Sequence, residues 1–325
     1  MIYLSGNGSV SSKGAHSTSS GTYPGYIQLY QDYVLHERVL AARERLMACE
    51  LCPRECGVNR LKGELGFCRG GSLARVASWN AHFGEEPPIS GTGGSGTIFF
   101  SHCTGRCIFC QNFPISQLGI GQEVTAHRLS GFMIELQRRG CHNINLVTPT
   151  HYVPQFLAAL ELAVASGLRI PIVYNTSGYE SVETLRLLDG IVDIYLPDAK
   201  YADDAVAHRL SGFRSYVAHN RAALLEMHRQ VGSQLTTSPE GVAIRGMVIR
   251  HLVLPHGLSQ TREVLSWIAD HLSKRAYVSL MGQYFPAHKA VGDPELGRRL
   301  LPEEYQAALR AFEECGLENG WCQQF

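Results

Sequence analysis

Apolar positions along the chain alternate between two periods. Residues 97–101 form a short apolar run of the length of one buried strand. Over residues 125–139, Leu129, Phe132, Met133 and Leu136 recur at i, i+3, i+4 and i+7, the stripe of a helix that Gly140 ends. Residues 143–148 read as a strand, and Val153, Phe156, Leu157, Leu160 and Val164 as the next helical stripe, stopped at Gly167. The pattern continues with a strand at 170–175, a short helix at 181–188 and a strand at 191–196. A helical stretch over 202–232, a strand at 247–254, a helix marked by Val264, Leu265, Ile268 and Leu272, a strand at 277–281 and a closing helix at 303–315 complete it. Six strands separated by helices predict α/β architecture with βαβ units, a parallel sheet open or curled into a partial (β/α)6 barrel. Ligands of such sheets sit beyond the carboxyl ends of the strands.

Ahead of this alternation the periodicity fails. Residues 26–48 look helical, residues 49–71 form a cysteine- and glycine-rich knot, and Pro87-Pro88 with Gly91-Thr-Gly-Gly-Ser-Gly96 punctuates turns. The chain divides into a disordered arm (1–25), a helical and Cys-rich subdomain (26–90), the partial barrel (91–300) and a C-terminal helix and tail (301–325). The first 23 residues are rich in Ser and Gly, hold no apolar core and do not read as a secretory signal. Ala126-His-Arg-Leu-Ser-Gly-Phe132 recurs as Ala207-His-Arg-Leu-Ser-Gly-Phe213, but the flanks differ, so the repeat is taken as coincidence.

Composition narrows the function classes. The 325 residues, 45% of them hydrophobic, suffice for one large domain with or without a small satellite. Lys+Arg and Asp+Glu are both 29, so no basic excess points to nucleic acid. No apolar run is long enough to span a bilayer. Seven of the ten cysteines lie between positions 49 and 110, in two groups. Clustered thiols without an export signal suggest metal rather than disulfides, and a cytoplasmic setting.

The sharper group is Cys103-Thr-Gly-Arg-Cys107-Ile-Phe-Cys110, placed directly after the first strand of the alternation. Three thiolates this close can wrap one face of a [4Fe–4S] cluster and leave one iron open, where a simple electron carrier uses four cysteines. Thr104, Gly105, Arg106, Gln111 and Asn112 make the loop polar, which argues against three cysteines packed as small hydrophobes. A zinc site completed by His102 is the competing reading.

This triplet resembles the signature of the radical S-adenosylmethionine (SAM) superfamily. More narrowly, the chain is similar to the pyruvate-formate-lyase-activating-enzyme-like branch. Cys49-Glu-Leu-Cys-Pro-Arg-Glu-Cys56, Gly66-Phe-Cys68, Cys107-Ile-Phe-Cys-Gln-Asn112, Leu146-Val-Thr-Pro-Thr150, Leu225-Glu-Met-His-Arg-Gln-Val-Gly232 and Val248-Ile-Arg-His-Leu-Val-Leu-Pro255 carry that closer likeness. The resemblance implies a radical SAM barrel. It also implies that SAM chelates the open iron and is reductively cleaved to a 5′-deoxyadenosyl radical that abstracts hydrogen, as in glycyl-radical activating enzymes. It implies an electron donor such as flavodoxin or ferredoxin, and a protein or small-molecule substrate that the sequence does not name. Phe109 matches the aromatic near the adenine. A Gly-Gly-Glu-like stretch is expected after the second strand, where this chain has Thr148-Pro-Thr150. Asn175, Thr176 and Ser177 end the third strand and Asp198 and Lys200 the fourth, the latter similar to the Asp-x-Lys of activating enzymes. These residues are candidates for the SAM carboxylate and ribose.

Alternation along the fifth strand puts either Arg250 or His251 inside, and a buried Arg needs an anion. His288 reads as a loop histidine. The second group, Cys49, Cys52, Cys56 and Cys68, fits either a structural zinc or a second iron–sulfur cluster. Cys141, Cys315 and Cys322 are isolated. Against the enzyme stands a non-catalytic iron–sulfur or zinc protein acting in electron transfer or assembly.

Overall fold

The computed structural model describes residues 2–3 and 23–322. The expected disordered arm lies, but for 2–3 and 23–25, outside the described residues, as does the tail after Cys322. Eleven strands are present among the described residues: β1 (Ile2–Tyr3), β2 (Ala74–His82), β3 (Ser95–Phe100), β4 (Gln122–Val124), β5 (Ile144–Val147), β6 (Ile172–Thr176), β7 (Ile194–Pro197), β8 (Thr236–Thr237), β9 (Ala243–Leu252), β10 (Tyr277–Met281) and β11 (Asn319–Cys322). Their order is β1-β11-β10-β9-β7-β6-β5-β3-β2-β4, with β8 attached to β9. The run from β3 to β11 is parallel throughout and in chain order. The six strands expected from periodicity are β3, β5, β6, β7, β9 and β10, and helices connect them. Crossovers between sequential parallel neighbours, right-handed by rule, place the connecting helices on one face.

The two faces of the sheet are made by alternation. Ile144, Leu146, Tyr174, Tyr195, Ile249 and Leu280 point outward into the main core, against Leu129, Phe132, Phe156, Leu160, Met227 and Ile268 from the helices. Full burial of each such side chain is worth roughly 1.5–3 kcal/mol before entropy is subtracted. The opposite face holds Val173, Ile194, Leu196 and Val248 with Trp321 and Ile89. Ile89 belongs to the short helix Pro87–Ser90, which plugs this inner face; the Asn143 side chain donates to the Ile89 carbonyl at 2.8 Å.

Five of the described strands, β1, β2, β4, β8 and β11, carry no clear period in the sequence. β2 pairs antiparallel with β3 and β4, which joins residues 74–82 to the sheet. β11 extends the parallel run, and its Gly320 is required there: a Cβ would stand 2.0 Å from the Val278 carbonyl oxygen of β10. The expected helix over 26–48 is two helices, Gly25–Gln31 and Val34–Glu44, broken at Tyr33 in the left-handed region. The stretch over 202–232 is likewise two, Asp204–Ser211 and Tyr216–Val231, parted at Gly212. No helix among the described residues is long and apolar enough to cross a membrane.

Candidate functional site

β3 delivers the chain into the cysteine loop, which backbone bonds hold in place. Arg106 N–H donates to Ser211 O and Ile108 N–H to Leu210 O, both at 2.8 Å, fastening the loop to the end of helix Asp204–Ser211. Gly105 is required at this contact, because a Cβ would press to 2.7 Å from the Phe213 ring. Cys103 Sγ accepts from Gly105 N–H at 3.4 Å, and Cys110 Sγ lies 3.2 Å from Ser116 Oγ. Burial pushes the Cys103 thiol up and the Cys107 thiol up to about 12. Phe109 is buried in an aromatic cluster with Tyr201, Phe213, Tyr216 and Tyr284.

All three cysteines line one cavity of about 480 Å³. Six successive strands contribute to it from their carboxyl ends: Phe99 and Phe100, then Val147 and Thr148, then Asn175 to Ser177, then Asp198 and Lys200, then Arg250 and Leu252, and last Ser279, Met281 and Gln283. A cavity lined by six strands of one sheet requires the sheet to curl around it. Phe109, Thr148, Asn175, Ser177, Asp198 and Lys200 are thereby brought together with the thiols.

Lys200 Nζ pairs with Asp198 Oδ2 at 2.5 Å, with both side chains mostly buried. Burial alone would lower the Lys200 pKa; Asp198 and the neighbouring thiols outweigh it and hold the ammonium above its ordinary value. The Tyr216 hydroxyl pins two strand ends, accepting from Lys200 N–H at 3.0 Å and facing Ser177 O at 3.0 Å and Asp198 O at 3.3 Å. Ser177 Oγ is buried at the cavity with no partner among the described residues. His102 also lines the cavity, and its Nδ1 is buried without a partner among the described residues.

Thr150 stands apart from this group. It begins the 3-10 turn Thr150–Tyr152, and its hydroxyl donates to Glu180 Oε1 at 2.5 Å. Thr176 Oγ1 and the Tyr174 hydroxyl donate to the same carboxyl. Burial raises the Glu180 pKa to about 7 against these hydrogen bonds. A carboxyl raised from 4.5 to about 7 keeps its proton longer in the folded state, so stability falls as pH rises from about 4.5 to about 7, by about 3 kcal/mol in all. Glu180→Gln is expected to be more stable than the native chain at pH 8, with the difference closing at pH 5. Urea unfolding at the two pH values measures it.

Arg250 is the member of its pair that faces inward; His251 is buried on the other side, bonded to Ala199 O at 2.6 Å and near Thr261 Oγ1 at 2.9 Å. The anion that Arg250 needs comes from Glu85 and Glu86, which line the cavity and which sequence reasoning missed. Glu86 takes two bonds from the guanidinium, at 2.8 and 2.6 Å. Burial would raise the Glu85 pKa, but Arg250 and His82 hold it down at about 2. His288 stacks on Phe113 with centroids 4.6 Å apart.

Cys49, Cys52, Cys56 and Cys68 converge on a second, much smaller cavity. Two arginines stitch the cysteine loops together. Arg54 donates to Thr104 O at 2.9 Å, and Arg106 donates to Phe67 O at 2.6 Å. Among the described residues no group of three His, Cys, Asp or Glu side chains is set to hold a single metal ion. A cluster instead spreads its thiolates over separate iron atoms. The 103–110 loop suits that demand in its donors: three free thiols on one cavity, a Ser177 hydroxyl with no partner among the described residues, and an Arg106 guanidinium that donates to the carbonyls of Cys103, Gly105 and Phe67.

Comparison with known proteins finds no matching family model. The uncharacterized protein MJ0674 of Methanocaldococcus jannaschii is 32% identical over 295 residues, which cover 88% of this chain and 80% of that protein. Among solved structures, HydG, a maturase of the [FeFe]-hydrogenase, aligns with a TM-score of 0.48 at 9% identity, over 70% of this chain and 52% of its own. This chain therefore spans about half the length of HydG. Methylornithine synthase (PylB) aligns with a TM-score of 0.43 at 15% identity, over 67% of this chain and 61% of its own.

Proposed function

The chain belongs to the same family as the M. jannaschii protein MJ0674, and from the cavity at its strand ends we propose that it is a radical SAM enzyme. The observation that carries this reading is the convergence of three cysteine thiols and the polar ends of successive parallel strands on one cavity of about 480 Å³. That size is within the usual range of about 300–1,000 Å³ for small-molecule sites. Cys103, Cys107 and Cys110 hold the [4Fe–4S] cluster. The chemistry such a cluster supplies when bound is one-electron reductive cleavage of the SAM sulfonium, used for hydrogen abstraction from a substrate.

The remaining roles belong to the chain's own residues. Lys200 is a buried cation suited to the SAM carboxylate, and Asp198 an acceptor suited to ribose hydroxyls. Ser177 and Asn175 offer polar atoms beside them, and Thr148 closes the wall between β5 and β6. Phe109 presents an aromatic surface next to the third thiol. Tyr216 acts through the backbone as a positioning residue. The finer reading is kinship with pyruvate-formate-lyase-activating enzymes, which the Asp198–Lys200 pair at the cavity wall supports; a flavodoxin- or ferredoxin-like electron donor would follow from that kinship alone.

Anaerobically reconstituted, reduced protein is expected to produce 5′-deoxyadenosine from SAM. Absence of that product, with a cluster EPR spectrum that ignores SAM, would instead leave a non-catalytic iron–sulfur protein. Asp198→Asn is expected to raise the KM for SAM by about 10-fold or more, the cost of one charge-assisted hydrogen bond. A kinetic titration with SAM measures it.

A further inference from the structure

Cys49, Cys52, Cys56 and Cys68 surround a cavity of about 10 Å³ that the proposed SAM chemistry does not use. We infer that this cavity is the site of a second [4Fe–4S] cluster, ligated by all four cysteines. The inference stands apart from the reading of the 103–110 loop.

Charge is the first ground. Arg60 lines the cavity and is 1% exposed, yet no carboxylate pairs with it among the described residues. Its hydrogen bonds go to the carbonyls of Gly71 and His151 and, at 3.9 Å, to Cys49 Sγ. A buried guanidinium with only carbonyl partners calls for a nearby anion. Arg54 lines the same cavity and also bonds only carbonyls, those of Thr104 and Gly212. A cluster ligated by four thiolates is anionic and supplies what both lack.

Hydrogen bonding at the sulfurs is the second. Backbone donors already face them: Gly70 N–H reaches Cys68 Sγ at 3.4 Å, and Phe67 N–H reaches Cys56 Sγ at 3.5 Å. Gly66 lets the backbone pass this close, since a Cβ there would stand 2.9 Å from Cys56 Sγ.

Donor geometry decides between zinc and a cluster. A structural zinc draws its four thiolates onto one point, each at about 2.3 Å. Among the described residues no three of these thiols form such a single-ion site. A cluster asks for no common point, because it spreads its thiolates over separate iron atoms.

Full-length protein reconstituted anaerobically with iron and sulfide, zinc being present in the growth medium, tests this. About eight iron and eight sulfide per chain are expected, twice the content of one cluster. The Cys103→Ala/Cys107→Ala/Cys110→Ala variant is expected to keep half of the iron and sulfide, with an EPR spectrum that SAM does not alter. A triple variant that binds zinc and no sulfide, or a native chain with one cluster plus one zinc, would overturn the inference. Cys52→Ala/Cys68→Ala should lose half of the native iron; if that variant does not fold, metal content and Mössbauer spectra of the native chain still decide. Failure of SAM cleavage leaves these counts unchanged, so the two proposals fail separately.

Discussion

Cys107→Ala is expected to abolish SAM cleavage while leaving the fold intact. The two halves of that expectation have different causes. The loop is held by backbone bonds, Arg106 N–H to Ser211 O and Ile108 N–H to Leu210 O, and neither involves a thiol. Losing one sulfur therefore costs the loop little of its shape. The proposed cluster, by contrast, depends on three thiols, and no fourth cysteine lines this cavity. Loss even of a partner that merely orients a metal ligand costs 10–100-fold, so loss of a ligand should exceed about 100-fold. 5′-Deoxyadenosine formation and iron content are the readouts, and Cys103→Ala and Cys110→Ala should behave alike. Cys141→Ala is the control, because Cys141 is buried in the turn ahead of β5 and does not line the cavity. Full activity in Cys107→Ala would remove the cluster from the 103–110 loop.

Periodicity exposed the strands that are buried on both faces and little else. β3, β5, β6, β7, β9 and β10 are short apolar runs whose neighbours in the sheet follow in chain order. β2, by contrast, is a half-exposed strand between β3 and the short β4, reading Ala-Arg-Val-Ala-Ser-Trp-Asn-Ala-His, and its pairing with them is tertiary information. The repeated heptapeptide shows the same limit. In the helix Ala126–Arg138, Gly131 sits mid-helix; in the second copy Gly212 adopts φ 67° and ends the helix. Identical letters thus make different structure, and the surroundings decide. In the site, the cysteines and strand-end residues were visible because spacing and topology place them. Glu85 and Glu86 were not, since they reach Arg250 across more than 160 positions. Their only signal was negative: an Arg inside a barrel strand demanded an anion that no nearby residue supplied.

That buried triad makes Arg250→Ala the substitution with the largest expected effect on stability. Glu85 and Glu86 are each less than a tenth exposed, and both pair with this guanidinium. Removing it leaves two buried carboxylates, with only the half-exposed His82 beside Glu85 to answer them. Stranding one such charge costs about 3–5 kcal/mol. At 2–4 °C per kcal/mol for a large domain, the melting temperature should fall by about 10 °C. The pH dependence separates this cause from simple loss of packing. In the native chain Glu85 is held near 2, below its unfolded value of 4.5, so its contribution is complete above pH 4.5 and is lost only in stronger acid. Without Arg250, burial acts on the Glu85 carboxyl unopposed by the guanidinium and pushes it up, and the folded state then gains stability as pH falls. The deficit of Arg250→Ala should therefore narrow from pH 8 to pH 5. Adding Glu85→Gln and Glu86→Gln should recover most of it at pH 8, because no buried charge is then left unpaired. A deficit equal at both pH values and untouched by the glutamines would assign Arg250 to packing alone.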